Sequence, residues 1–212
     1  EIREKVDERV AICATCENDE LLKIARDKSA AVRSDVDFSR IDFENDAFDA
    51  VVADASFTEP QDIEEFVVEA IRVARSGGDV AVVLPSAGSF GEVFSLLWEV
   101  LFNEDLGEQG HVAESMISEI PSISHIEEIA ENAGLVDVKT EFANEVFEYE
   151  NGAAFVAAPL VADFLLPRWL ETLDEDDKER VTQKLAQLID LEDADLTFRF
   201  SVKATLLTGK KA

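Results

Sequence analysis

Short apolar blocks alternate with longer stretches patterned like helices. Arg9 to Cys16 reads as a short buried strand. Asn18 or Asp19 then caps a helix over Glu20 to Lys28, with Leu21, Leu22, Ile24 and Ala25 as its apolar face. Ala30 to Arg33 predicts a second strand ending at Ser34-Asp35, and Phe48 to Ala53 predicts a third, fully buried strand ending at Asp54. Pro60 opens a helix to Arg75, with Ile63, Phe66, Val67, Ala70, Ile71 and Ala74 at helical spacing. Ser76-Gly77-Gly78 is read as its stop, and Val80 to Leu84, closed by Pro85, as another buried strand. Continuous apolar strands alternating with amphipathic helices are the pattern of a parallel sheet covered on both faces, which implies an open, doubly wound α/β fold.

The second half keeps the alternation but lengthens the connections. Helices are expected over Phe90 to Phe102 and His125 to Asn132, flanking a polar, glycine-bearing stretch from Asn103 to Ser124 suited to a lid or cap. Leu135 to Phe142, which follows the helix stop Ala133-Gly134, and Thr197 to Thr208 read as the last two strands. Between them, Ala153 to Phe164 and Asp174 to Leu191 read as helices, the latter opened by acids that suit the helix dipole. The organisation expected is one domain over residues 1–212, with segments 86–124 and 150–192 as helical cap or insert.

Composition narrows the choice of partners. With 212 residues and 47% hydrophobic content the chain can bury one sizeable core. Its longest apolar runs, such as Phe94 to Leu101, are interrupted by Ser95 and Glu99, so no membrane span is expected. A formal net charge of −28, from 47 acids against 19 bases, would repel nucleic acid and anionic membranes. It is compatible with solvated helix faces, a salt-rich habitat or a basic protein partner. Cys13 and Cys16 form a lone CxxC followed by Glu17 and Asp19, whose charges oppose a thiolate. With His111 and His125 as the only histidines, no four-ligand metal spacing results, and the cysteines read as small hydrophobes in a cytoplasmic or other reducing compartment. Trp98, Trp169 and the phenylalanines read as core or cap packing, and Glu148-Tyr149-Glu150 as a solvated strand end. The chain begins at Glu1 without a basic-then-apolar leader, so an N-terminally incomplete chain is expected.

Two stretches carry a resemblance. RSDVDFSRIDFENDAFDAVVAD (Arg33 to Asp54) and EAIRVARSGGDVAVVLP (Glu69 to Pro85) resemble the middle of class I S-adenosylmethionine-dependent methyltransferases of the small-molecule, type 11-like kind. The segments Ala133 to Leu173 and Val202 to Ala212 look like that family's closing strands and cap. The resemblance implies a Rossmann-like, mostly parallel sheet with an antiparallel last strand, and S-adenosylmethionine lying across the carboxyl ends of the first strands. It also implies roles for individual residues. Asp35 would accept from the adenine amino group with Val36 packed beside the ring, and Asp54 would lie near the methionine moiety and substrate. Glu17 would be the ribose-binding acid, unless the register puts Cys16 there.

The departure from the family lies at the front of the chain, where the first glycine is Gly77. A glycine-rich turn supplies positive φ and close backbone approach to the cofactor. If Arg9 to Cys16 is the second strand, the first strand and its loop precede Glu1. If it is the first, the loop has become Ala14 to Asn18, where left-handed angles would cost about 1–2 kcal/mol each. In either register the chain as given is expected to hold cofactor poorly, and the first βα unit is incomplete or degenerate. The resulting expectation is a methyltransferase acting on a small or lipid-like molecule. The alternative is a catalytically silent scaffold or interaction subunit, and a third arrangement has a second protomer supplying the missing strand. No catalytic base stands out; His111 and His125 are the only groups poised near neutrality.

Overall fold

The computed structural model describes residues 2–15, 19–32, 34–38, 43–108, 110–192 and 197–212. It divides into two units, Glu1–Glu44 and Asn45–Ala212. In the first, helix α1 (Ile2–Lys5) leads through a turn to strand β1 (Cys13–Ala14), helix α2 (Asp19–Ala31) and strand β2 (Asp37–Phe38), which pairs with β1 in parallel. β1 is far shorter than the strand expected over Arg9 to Cys16. The Asp7 carboxylate accepts from the Arg9 backbone N–H at 2.9 Å and the Asp7 carbonyl from Val10 N at 3.0 Å. This turn uses the backbone groups a strand would need and leaves Val10 exposed. The strand expected at Ala30 to Arg33 is also corrected: α2 runs through Ala31, Val32 N still donates to Lys28 O, and pairing begins only at Asp37. An apolar run this short fits either state by periodicity, and alanines favour the helix.

The second unit is built on a four-stranded sheet in the order β3-β4-β6-β5: β3 (Phe48–Asp54), β4 (Ala74–Pro85), β5 (Leu135–Tyr149) and β6 (Phe198–Lys211). β3 and β4 are parallel, and β6 runs antiparallel to both its neighbours, as expected for the last strand. Helix α3 (Ile63–Val73), entered through a 3-10 turn at Pro60–Asp62, and helix α6 (Ile123–Asn132) pack on one face. Their core joins Ile63, Val67, Ile71 and Ile126 to Val80, Val82, Leu84 and Leu207. β3 is not fully buried: as an edge strand it sends Val51 and Ala53 towards this core, while Val52 on its other face is 73% exposed.

α3 ends before the glycines read as its stop. Ala74 is extended (φ −68°, ψ 143°) and already paired with Phe48. Residues 75–78 then bulge, and register resumes at Ala50 with Asp79. Gly77 has φ +74°, and a Cβ on Gly78 would lie 2.8 Å from the Arg75 carbonyl and 3.1 Å from that of Asp49. The glycine pair therefore serves the sheet bulge.

A second core forms over the other end of the sheet. Helices α4 (Gly91–Asn103), α7 (Gly152–Val156), α8 (Leu166–Trp169) and α9 (Glu175–Glu192) gather around Phe94, Phe155, Trp169, Leu185 and Phe200. The continuous helix expected over Ala153 to Phe164 is broken: α7 stops at Val156, and after Pro159 a π-helical segment, Leu160–Leu165, leads into α8. Proline has no N–H to continue the helix ladder. The polar stretch after α4 contains helix α5 (His111–Ser118). β5 extends to Tyr149, and Tyr149 is half-buried rather than solvated, its ring packing edge-on to Phe155 at 5.3 Å. No helix among the described residues is long and apolar enough to cross a membrane.

Candidate functional site

At the carboxyl ends of β3 and β4 the second unit encloses a cavity of about 190 Å³. Its walls come from five separate stretches: the loop after β3, the end of β4, the loop entering α4, the β5–β6 ladder and the π-helical segment. The loop after β3 is set by Asp54, whose carboxylate accepts from Ser56 N at 2.9 Å. Buried Ala55 donates to Val83 O at 2.8 Å, and Thr58 N closes the turn on Ala55 O. This Asx turn carries Ser56 and Phe57 to the cavity. Phe57 stacks on Phe164 at 5.4 Å. Arg168 donates to the Phe57 carbonyl and, at 2.7 Å, to Glu59 Oε1. Ring stacking and this clamp fasten the loop to the helical insert.

On the opposite wall, the loop Ser86 to Phe90 is knitted to β6. Ser86 N donates to Lys203 O at 3.0 Å, Lys203 N to Ser89 Oγ at 3.0 Å, and Phe90 N to Ser201 O at 2.8 Å. The buried hydroxyls of Ser86 and Thr205 are hydrogen-bonded to each other at 2.8 Å, and Ser89 Oγ donates to Ser86 O, so these polar groups are satisfied without facing a ligand. Phe90 adopts φ +62°, a left-handed angle that a bulky residue rarely takes. The strained backbone points its ring at the cavity, stacked on Phe200 at 5.9 Å and edge-on to Trp169 at 5.8 Å. Phe147 also stacks on Phe200, at 4.9 Å. The lining is almost wholly apolar, and Glu145 is its one ionisable side chain.

The sequence-predicted residues fall in both units. Asp35 and Val36 are adjacent in the first; the Asp35 carboxylate is 68% exposed and lies 3.4 Å from Arg3 Nε, while Val36 is half-buried. Asp54 ends β3 in the second and is exposed, with one carboxylate oxygen occupied by the Asx turn. Glu17 and its register alternative Cys16 lie outside the described residues. His111 Nδ1 donates to Glu108 O at 2.7 Å, and His125 lies 3.7 Å from Glu128; neither lines the cavity. Sequence reasoning missed the cavity residues Phe57, Phe90, Glu145, Phe147 and Phe200. The run EFANEVFEY, which continues past Phe142 without glycine or proline, was the available signal, since a strand through it places Glu145, Phe147 and Tyr149 on one sheet face.

Residues 3–82 match the family model described as a methyltransferase domain. No curated protein sequence matches the chain. Among solved structures, the YcgJ protein from Bacillus subtilis is similar over 95% of this chain and 82% of its own, at 15% identity and a TM-score of 0.56. A Bacillus halodurans C-125 protein with a provisional methyltransferase assignment is similar over 95% and 83%, at 16% identity and a TM-score of 0.56. The fold is the Rossmann-like fold of methyltransferases. A Haemonchus contortus phosphoethanolamine N-methyltransferase, solved with phosphomonomethylethanolamine and S-adenosylhomocysteine, shares this methyltransferase fold over 95% of the present chain and 44% of its own length, at 15% identity and a TM-score of 0.51.

Proposed function

We propose that this protein is an S-adenosylmethionine-dependent methyltransferase acting on a small or lipid-like molecule. The observation that carries the reading is the apolar cavity at the carboxyl ends of the parallel strands β3 and β4, where open α/β sheets hold their ligands. When bound, the cofactor supplies an electrophilic methyl group. The resemblance assigns its nucleoside end to Asp35 and Val36, and within their own unit Asp35 is an exposed acceptor and Val36 a half-buried apolar side chain. Asp54, with a carboxylate oxygen to spare, suits the end nearest the substrate. The backbone cradle is a poorer fit, because no described residue before Asp46 has a positive φ. The chain's own contribution is then positioning: the aromatic walls exclude water, and the Arg168 clamp fixes the loop that carries Ser56 and Phe57.

Calorimetry with S-adenosylmethionine and S-adenosylhomocysteine on the full chain tests this reading. Saturable binding of both, weakened by Asp35→Asn, is the expected result. No heat at millimolar ligand would overturn it and leave a methyltransferase-like scaffold.

A further inference from the structure

The ionisable content of the cavity is a single side chain. Glu145 sits on β5 directly opposite Val202, with Phe147 two residues on along the same face and opposite Phe200. The carboxylate is exposed, at the rim of an otherwise apolar space. Among the described residues no lysine or arginine pairs with it. Lys203, the nearest base in register, is paired with Asn144 on the other face, and its ammonium lies 4.4 Å above the Phe142 ring. Arg168, on the insert, is held by Glu59. A lone carboxylate at the rim of this aromatic-walled space attracts a cation by charge, while the walls favour an apolar body. The charge of −28 adds a field that draws cations and repels anions. A volume of 190 Å³ lies below the range for drug-sized ligands, so the occupant is small.

We propose that this cavity binds a small apolar amine, with its hydrocarbon body among Phe57, Phe90 and Phe200 and its ammonium against the Glu145 carboxylate. The proposal rests on the reading of the cavity as the substrate site and names the substrate class.

The probes are n-hexylamine, n-hexanol and n-hexanoate, titrated into the full chain without cofactor and followed by tryptophan fluorescence, since Trp169 packs on Phe90. The amine should bind about fivefold or more tighter than the alcohol, and hexanoate more weakly than either. Glu145→Gln, on an exposed position of β5, should bring the amine to the alcohol's level and leave the alcohol unchanged. Ala204→Leu, which fills the cavity from β6, should weaken amine and alcohol alike. Equal affinities for amine and alcohol, an unchanged ratio in Glu145→Gln, or mutually exclusive binding of hexylamine and S-adenosylhomocysteine would each overturn the proposal. The first two would leave the methyltransferase reading standing, whereas amine binding with no affinity for either cofactor form would remove that reading and keep the ligand assignment.

Discussion

Phe200 joins the helical core to the cavity wall, and truncating it tests both. It is fully buried on β6, and its ring lies 4.9 Å from Phe147, 5.9 Å from Phe90, 6.0 Å from Phe155 and 6.1 Å from Tyr149. Burying a phenylalanine removes about 150–250 Å² from water, which at about 25 cal/mol per Å² is roughly 4–6 kcal/mol. The alanine Cβ keeps part of that, and the neighbouring cavity lets the wall relax, so Phe200→Ala should cost about 3–4 kcal/mol. With a urea slope of about 2 kcal/mol/M the midpoint falls by about 1.5–2 M. Phe200→Leu keeps most of the apolar volume and should cost about 1–1.5 kcal/mol. Both tryptophans, Trp98 and Trp169, belong to the second unit, so urea titration by tryptophan emission follows that unit alone. A midpoint for Phe200→Ala within about 0.5 M of the parent, or equal losses in the two variants, would refute the picture of Phe200 as a packing hub.

Other positions give independent checks. Because Phe90 holds a left-handed angle, Phe90→Gly should be more stable than Phe90→Ala by about 0.5–1 kcal/mol, the reverse of the usual order; paired urea melts decide it. Gly152 opens α7 against the α9 backbone at Ala186, where an added Cβ would collide with the carbonyl group, and its N–H donates to Asp190 at 2.7 Å. Gly152→Ala should therefore cost about 2–4 kcal/mol and lower Tm by about 10 °C in a thermal scan; an unchanged Tm would contradict this packing. Tyr149 is the sole tyrosine, and burial pushes its phenol above the ordinary tyrosine range. The native state thus keeps its proton longer than the unfolded chain, and this stabilisation is complete below pH about 10 and lost as pH rises through the native pKa. Phenolate absorbance should appear at higher pH in native protein than in urea, and coincident titrations would show the ring to be solvated.

Much of the architecture was legible because burial leaves a periodic trace. α3, α4, α6 and α9 fall close to their expected limits because each presents a continuous apolar stripe to a core. The order of the strands in the chain was legible too, and the antiparallel last strand followed from the family resemblance. The first unit was read less well, because its strands are two residues each and a turn at Asp7 and a helix end at Ala31 decide where they lie. The run Phe48–Ala53 looked fully buried because Val, Ala and Phe carry no mark of an edge position. Among the described residues β3 ends the second unit's sheet, and Val52 lies on the face turned away from the α3 core, which composition does not mark. Pro159 is the readable sign that the insert helix breaks, against the apolar periodicity around it.

The candidate site shows a different kind of illegibility. Sequence resemblance points to carboxylates at strand ends, because a family's cofactor acids sit at fixed offsets from its strands. The cavity has no such marker: its phenylalanines come from positions 57, 90, 147 and 200, and each alone is an ordinary core residue. What makes them a wall is the β5–β6 ladder, which sets Phe147 against Phe200, and the strained turn at Phe90, which adds a third ring to the stack. A buried cluster with no function would gain from relaxing that angle and filling the space, since left-handed strain costs about 1–2 kcal/mol and empty volume adds more. The structure instead keeps an open, aromatic space with a single carboxylate at its rim. That combination is the physical ground for placing ligand binding at this cavity.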